Sequence, residues 1–283
     1  EFLQYMVKNA NSVQIINNII NSFNHLLRSI SLLVNKNIIH YDLKGSNILY
    51  SEKKKIPLII DFGLSINMNN IDNLNLNEVF YTYAPQYYVW PLEVHYLGLL
   101  FNVNKEPTDA ELKNLAKVYV ESNKGINKIF SPNFLNKYKK ICLDQLKLYS
   151  QMKFDRRVKF LMNFWNTWDN YSLSITYLRF LRYLALDGFY ENSFIKFMGK
   201  LLLQNIHPNP TKRLSLTQTT HTFNGFLYKE QIDVQSTFEE LADEFIKNKN
   251  NINNKLIKHS RIDIKETKTM KTQRRERIKS IAI

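Results

Sequence analysis

One short block of chain constrains everything around it. His40-Tyr41-Asp42-Leu43-Lys44-Gly45-Ser46-Asn47 follows a long amphipathic segment, and Asp61-Phe62-Gly63 follows the short apolar run Ile56-Pro57-Leu58-Ile59-Ile60. Ser12 is a good helix N-cap, and after it Ile16, Ile19, Ile20, Phe23, Leu26, Leu27, Ile30 and Leu33 recur at three- and four-residue steps. That spacing gives one wide apolar helix face that must be buried. Asn35-Lys36-Asn37 ends the helix. Residues 47–50 and 58–60 read as two short strands joined by the polar turn 51–55. The polar block therefore lies in a loop between a buried helix and a strand pair. Asn47 and Asp61 are 14 positions apart, the distance of a tight strand-turn-strand with one of them at either end.

The residue types in this order suit phosphoryl transfer from a nucleotide. Asp42 can orient a hydroxyl and take its proton, and Lys44 can neutralise charge on the moving phosphate. Asn47 and Asp61 can hold magnesium against the phosphates. These motifs resemble those of the eukaryotic-type protein kinase family, with His-Tyr-Asp where most members have His-Arg-Asp.

The resemblance implies a mainly α fold: the helical C-terminal lobe of a protein kinase, with a few short β-strands. It implies ATP and Mg2+ as cofactors, Asp42 and Lys44 as catalytic residues, and Asn47 and Asp61 as metal ligands. Lys44, Asn47 and Asp61 would contact the nucleotide, with Leu49 packed under the adenine ring. Glu1-Phe2-Leu3-Gln4-Tyr5-Met6 looks like the hinge between lobes, which would bring Glu1 and Leu3 to the adenine edge. The small lobe is then expected to be absent from this chain. None of the seven glycines form G-x-G-x-x-G, and no Val-Ala-Ile-Lys-like strand precedes the first helix.

Further matches follow downstream. Tyr83-Ala84-Pro85-Gln86 and Trp90-Pro91-Leu92-Glu93 both resemble the family's Ala-Pro-Glu. The family pairs that acid with a buried arginine, for which Arg213 in Asn209-Pro210-Thr211-Lys212-Arg213 is the candidate, with Glu93 the favoured partner. Trp168-Asp169-Asn170-Tyr171-Ser172-Leu173 resembles a helix whose acid supports the catalytic loop, so Asp169 would brace Asp42. Residues 94–164 read as a helical insertion, and 178–202 as further amphipathic helix. The resulting division is a kinase C-terminal lobe over 1–230, then a short helix near 237–246 and a flexible basic tail within 231–283.

Charge and composition limit the setting. The net charge is +14, and 247–279 alone holds 12 Lys or Arg against three acids. That tail reads as a solvated extension, with contact to an acidic partner as the alternative. Cys142 is the only cysteine, which excludes an internal disulfide and fits a reducing, intracellular compartment; it reads as a small hydrophobe on a helix. No uncharged apolar stretch reaches membrane-spanning length. The asparagine-rich style, the large insertion and Trp90-Pro91-Leu92-Glu93 resemble kinases of large DNA viruses, so the cytoplasm would be that of an infected cell.

The expected function is a Ser/Thr protein kinase that transfers the ATP γ-phosphate to a protein hydroxyl, in a chain that is a fragment without its small lobe. The Asp-Leu-Lys-x-x-Asn pattern resembles the Ser/Thr branch. Tyr41 cannot form the charged fork of the arginine it replaces, so activity is expected not to require a phosphate on the activation loop. A catalytically incompetent lobe acting as a scaffold is the alternative. A small-molecule phosphotransferase ranks last, because those tend to lack Asp-Phe-Gly.

Overall fold

The computed structural model describes residues 12–71, 76–127, 129–185, 193–229 and 234–281. Within them the chain is mainly helical. Helix α1 (Ser12–Asn35) leads to β1 (Ile38–Ile39), β2 (Ile48–Ser51), β3 (Ile56–Ile59) and β4 (Ile66–Asn67). Helices α2 (Leu76–Val79), α3 (Leu92–Asn102), α4 (Asp109–Glu121), α5 (Pro132–Ser150), α6 (Phe154–Met162), α7 (Trp168–Ala185), α8 (Ser193–Asn205), α9 (Leu216–Lys229) and α10 (Val234–Ile281) follow.

The face predicted for α1 is the face that packs. Ile19, Phe23, Leu26, Leu27 and Ile30 are buried, while Ile20 lies partly buried at the margin. Phe23 meets the rings of Tyr177 and Phe223 edge-on at 4.8 and 4.9 Å, which ties α1 to α7 and α9. Each such ring contributes by apolar burial and by its edge-to-face geometry.

The strands form two antiparallel pairs. β1 pairs with β4, Ile39 opposite Ile66, and β2 pairs with β3, Leu49 opposite Leu58. Pro57 sits in β3 opposite Tyr50, where a two-stranded ribbon leaves an edge that tolerates a missing N–H. The ribbon brings the two ends of the polar block together, since the Ile60 N–H donates to the Asn47 carbonyl at 2.9 Å.

The described residues of 94–164 hold most of α3 and all of α4, α5 and α6. Thr108 and Glu111 close a reciprocal capping box at the start of α4, and Ser131 caps α5 by accepting from the Phe134 N–H. Buried Tyr119 of α4 joins hydroxyls with Tyr171 of α7 at 2.7 Å, so this segment is anchored to the central helix. Cys142 of α5 is fully buried, and burial pushes its thiol well above the usual range, consistent with a packing role. The further amphipathic helix read over 178–202 falls on α7 and α8 within the described residues.

The largest departure is at the end of the chain. In place of a short helix and a flexible tail, α10 runs 48 residues from Val234 to Ile281. It packs against α1, α2 and the 3-10 turn Gly45–Asn47. Leu256, Ser260, Asp263, Thr267 and Met270 are buried. They recur at three- and four-residue steps, but only two are apolar, so hydrophobic periodicity ends where the helix does not.

Candidate active site

The loop after β1 is held from behind. Asp169 of α7 accepts from the backbone N–H of His40 at 2.7 Å and of Tyr41 at 3.0 Å. This is the bracing expected of that carboxylate. Its burial raises the carboxyl above the ordinary range, against the opposing effect of His40 and of these two N–H donors. Tyr41 takes a left-handed backbone angle, φ 66°. Its ring is buried against Trp90 at 4.8 Å, and the Trp90 indole N–H donates to the Tyr41 carbonyl at 2.8 Å. An aromatic contact therefore stands where an arginine would carry charge.

These supports aim Asp42, Lys44 and Asn47 at one point. Asp42 is fully buried. Asn47 Nδ2 donates to the Asp42 carbonyl and to its Oδ2, both at 2.8 Å. Lys44 Nζ lies 3.2 Å from Asp42 Oδ1 and donates to the Tyr87 hydroxyl at 2.9 Å. The Tyr87 hydroxyl in turn donates to Asp42 Oδ1. Burial first, and Asp42 second, push the Tyr87 phenol well above its ordinary range, so it stays a donor. Nothing in the sequence marks Tyr87 for this role; it lies just past the Ala84-Pro85 pair. Its loop is placed by α3, whose Gly98 comes so close to the Thr82 carbonyl that a Cβ there would sit 2.7 Å from it.

Asp61 closes the far side. It too is left-handed, φ 66°, and its side chain accepts from the Gly63 N–H at 3.4 Å. His40 Nε2 lies 2.9 Å from the Ile60 carbonyl and its ring packs on Phe62 at 5.0 Å, fixing the Asp-Phe-Gly turn to the catalytic loop. In that turn Gly63 leaves room for Lys271, since a Cβ there would lie 2.8 Å from Lys271 Cε.

Two contacts arrive from α10, and sequence reasoning foresaw neither. Thr267 Oγ1 donates to Asp42 Oδ2 at 2.9 Å, and the Lys271 ammonium pairs with Asp61 Oδ1. Partial burial works against an ionised Asp61, but the hydrogen bond and charge of Lys271 outweigh it and hold the carboxyl below its usual range.

Leu49 is exposed on the ribbon beside exposed Leu58, open to a flat apolar ligand. Glu1 and Leu3 lie outside the described residues. Among the described residues no group of three or more His, Cys, Asp or Glu is placed to hold a metal. A magnesium ion carried mainly by phosphate and water needs only one or two protein ligands. Asp61, paired with the Lys271 ammonium, has the charged oxygen donor such an ion takes. Further out, Glu93 and Arg213 form the expected pair, through bonds of 2.5 and 2.7 Å with both side chains fully buried. No helix among the described residues is long and apolar enough to cross a membrane.

Comparison with known proteins adds one match: residues 3–93 fit the family model of the protein kinase domain. No curated protein and no solved structure matches the chain.

Proposed function

We propose that this chain, whose residues 3–93 fit the family model of the protein kinase domain, is a protein kinase that transfers the γ-phosphoryl group of ATP to serine or threonine hydroxyls of a protein substrate. The observation that carries this reading is the convergence of Asp42, Lys44 and Asn47 in one hydrogen-bonded group, with Asp61 joined to it through the Ile60–Asn47 backbone bond.

In the proposed step Asp42 orients the acceptor hydroxyl and receives its proton as the oxygen bonds to the γ-phosphorus. The bond from that phosphorus to the bridging oxygen breaks, and its electron pair leaves with ADP. Lys44 sits 3.2 Å from Asp42 and stabilises the transferred group's charge. Asn47 commits Nδ2 to Asp42, which leaves its Oδ1 lone pairs for a metal, and Asp61 supplies the charged ligand. Bound Mg2+ would neutralise charge on the phosphates. The protein's own contribution is positioning and preorganised charge, so Asp169 and Tyr87 belong to the machinery as positioning residues. The Ser/Thr assignment rests on Asp42-Leu43-Lys44-Gly45-Ser46-Asn47, and Leu49 is the proposed adenine contact.

The test is incubation with Mg2+, labelled ATP and a generic basic protein, beside Asp61→Ala. Phosphoserine and phosphothreonine form with the wild-type protein, and only background with the variant. Label on tyrosine would move the assignment to another class, and equal label with both proteins would end it.

A further inference from the structure

Among threonines near the end of α10, Thr267 behaves differently from its neighbours. The hydroxyls of Thr269 and Thr272 donate to carbonyls one turn back, Lys265 and Lys268, at 3.2 and 3.1 Å. That is the ordinary habit of threonine inside a helix. Thr267 turns away from its own helix and donates to Asp42 Oδ2. It does so buried, as Met270 beside it is buried. One turn further on, Lys271 presents its ammonium to Asp61. The same helix is clamped just before this point. Asp263 accepts from Arg179 at 2.9 Å and from the Tyr88 hydroxyl at 3.0 Å, and Glu266 pairs with Lys124 at 2.5 Å.

Helical spacing accounts for the pairing of these contacts. Positions i and i+4 lie on one face about one turn apart. A hydroxyl at 267 and a cation at 271 therefore reach two carboxylates that lie on either side of the Asn47–Ile60 bond. The proton that Asp42 would accept from a substrate is offered by Thr267. The positive charge that Asp61 would take from a metal is offered by Lys271.

We propose that α10 is a tethered substrate mimic, which fills the acceptor-hydroxyl position with Thr267 and the metal position with Lys271 and thereby holds the site closed. This rests on the kinase reading above and adds to it a competitor built into the chain. Both the acceptor and the metal-bound nucleotide must displace α10, so by linkage each must loosen it. The mimic also describes what the acceptor position takes: a hydroxyl on a basic segment with a cation one turn away.

The experiment uses the full chain with Thr267→Val and Lys271→Met together, near-isosteric changes that remove the hydroxyl and the charge. Transfer to an added basic protein gains about tenfold or more in kcat/KM, within the usual range of such couplings. A solvent-face control, Lys268→Met with Thr269→Val, stays at the wild-type rate. If the wild type transfers phosphate and the double variant is no faster, the mimic is wrong and the kinase reading stands. If neither exceeds Asp61→Ala, both fall. Stoichiometric phosphorylation of Thr267 in the wild type would make α10 a substrate and overturn the proposal. A measurement on the wild type alone covers a variant that fails to fold: hydrogen exchange over 263–274 accelerates about tenfold on saturation with Mg2+ and a non-hydrolysable ATP analogue, and unchanged protection contradicts the proposal.

Discussion

Asp42→Asn loses about a thousandfold in kcat for phosphoryl transfer while the metal-bound nucleotide still binds, the loss expected when a general base is removed. The substitution keeps the shape of the side chain and its contact with Asn47. It removes the charge that orients the acceptor and that faces Lys44 at 3.2 Å. Asn47 and Asp61, the proposed metal ligands, are untouched. A rate loss without loss of nucleotide affinity therefore separates the base from the metal site. Asp61→Ala shows the opposite split, with affinity for the metal-bound nucleotide lost first. Single-turnover kinetics and nucleotide titration of the two variants measure this. Equal loss of affinity in both would mean that Asp42 acts only by holding the loop. Some stability is also lost in Asp42→Asn, since Lys44 and Tyr87 are buried against that carboxylate.

Glu93→Ala costs about 3–5 kcal/mol of folding stability, the usual penalty for removing one partner of a buried ion pair. Both side chains are fully buried and meet in a two-pronged geometry. Burial alone would lower the Arg213 guanidinium, but Glu93 outweighs it and holds it above its ordinary range. Without Glu93 the guanidinium keeps its bond to the His207 carbonyl at 2.9 Å and its place over the Tyr171 ring at 5.4 Å, but it has lost its counter-charge. Urea unfolding measures the change against a control, Glu121→Ala. Glu121 and its partner Lys139 are 52% and 36% exposed, so its loss costs no more than about 1 kcal/mol. If the two variants were equally stable, the Glu93–Arg213 pair would not be holding the start of α3 to the turn before α9. A loss of 3–5 kcal/mol is a large share of the roughly 5–15 kcal/mol of a typical domain.

The sequence and the structure agree where the signal is local. The α1 stripe and the strand-turn-strand were legible because they depend on periodicity and turn chemistry, whereas the Asp169 brace and the Glu93–Arg213 pair, each joining residues more than a hundred positions apart, followed only from the family resemblance. Tyr87 was not legible, because a buried tyrosine among many aromatics carries no mark of what its hydroxyl touches. The tail was the largest miss. Its buried face reads Leu256, Ser260, Asp263, Thr267, Met270, which a hydrophobic pattern scores as solvated. Its partners are polar because the surface it covers holds Arg179, Asp42 and Asp61. A basic charge run that looks like a free extension can therefore be a packed helix, when the groups awaiting it are acids.

The central claim is that Asp42, Lys44, Asn47 and Asp61 surround one metal-bound triphosphate. A crystal structure with Mn2+ and a non-hydrolysable ATP analogue tests it most directly, because the metal is located by its anomalous scattering. The account predicts a manganese peak liganded by Asn47 Oδ1 and the Asp61 carboxylate, with Lys271 withdrawn and the γ-phosphate facing Asp42. A nucleotide bound elsewhere, or a metal that leaves the Lys271–Asp61 pair in place, would contradict it.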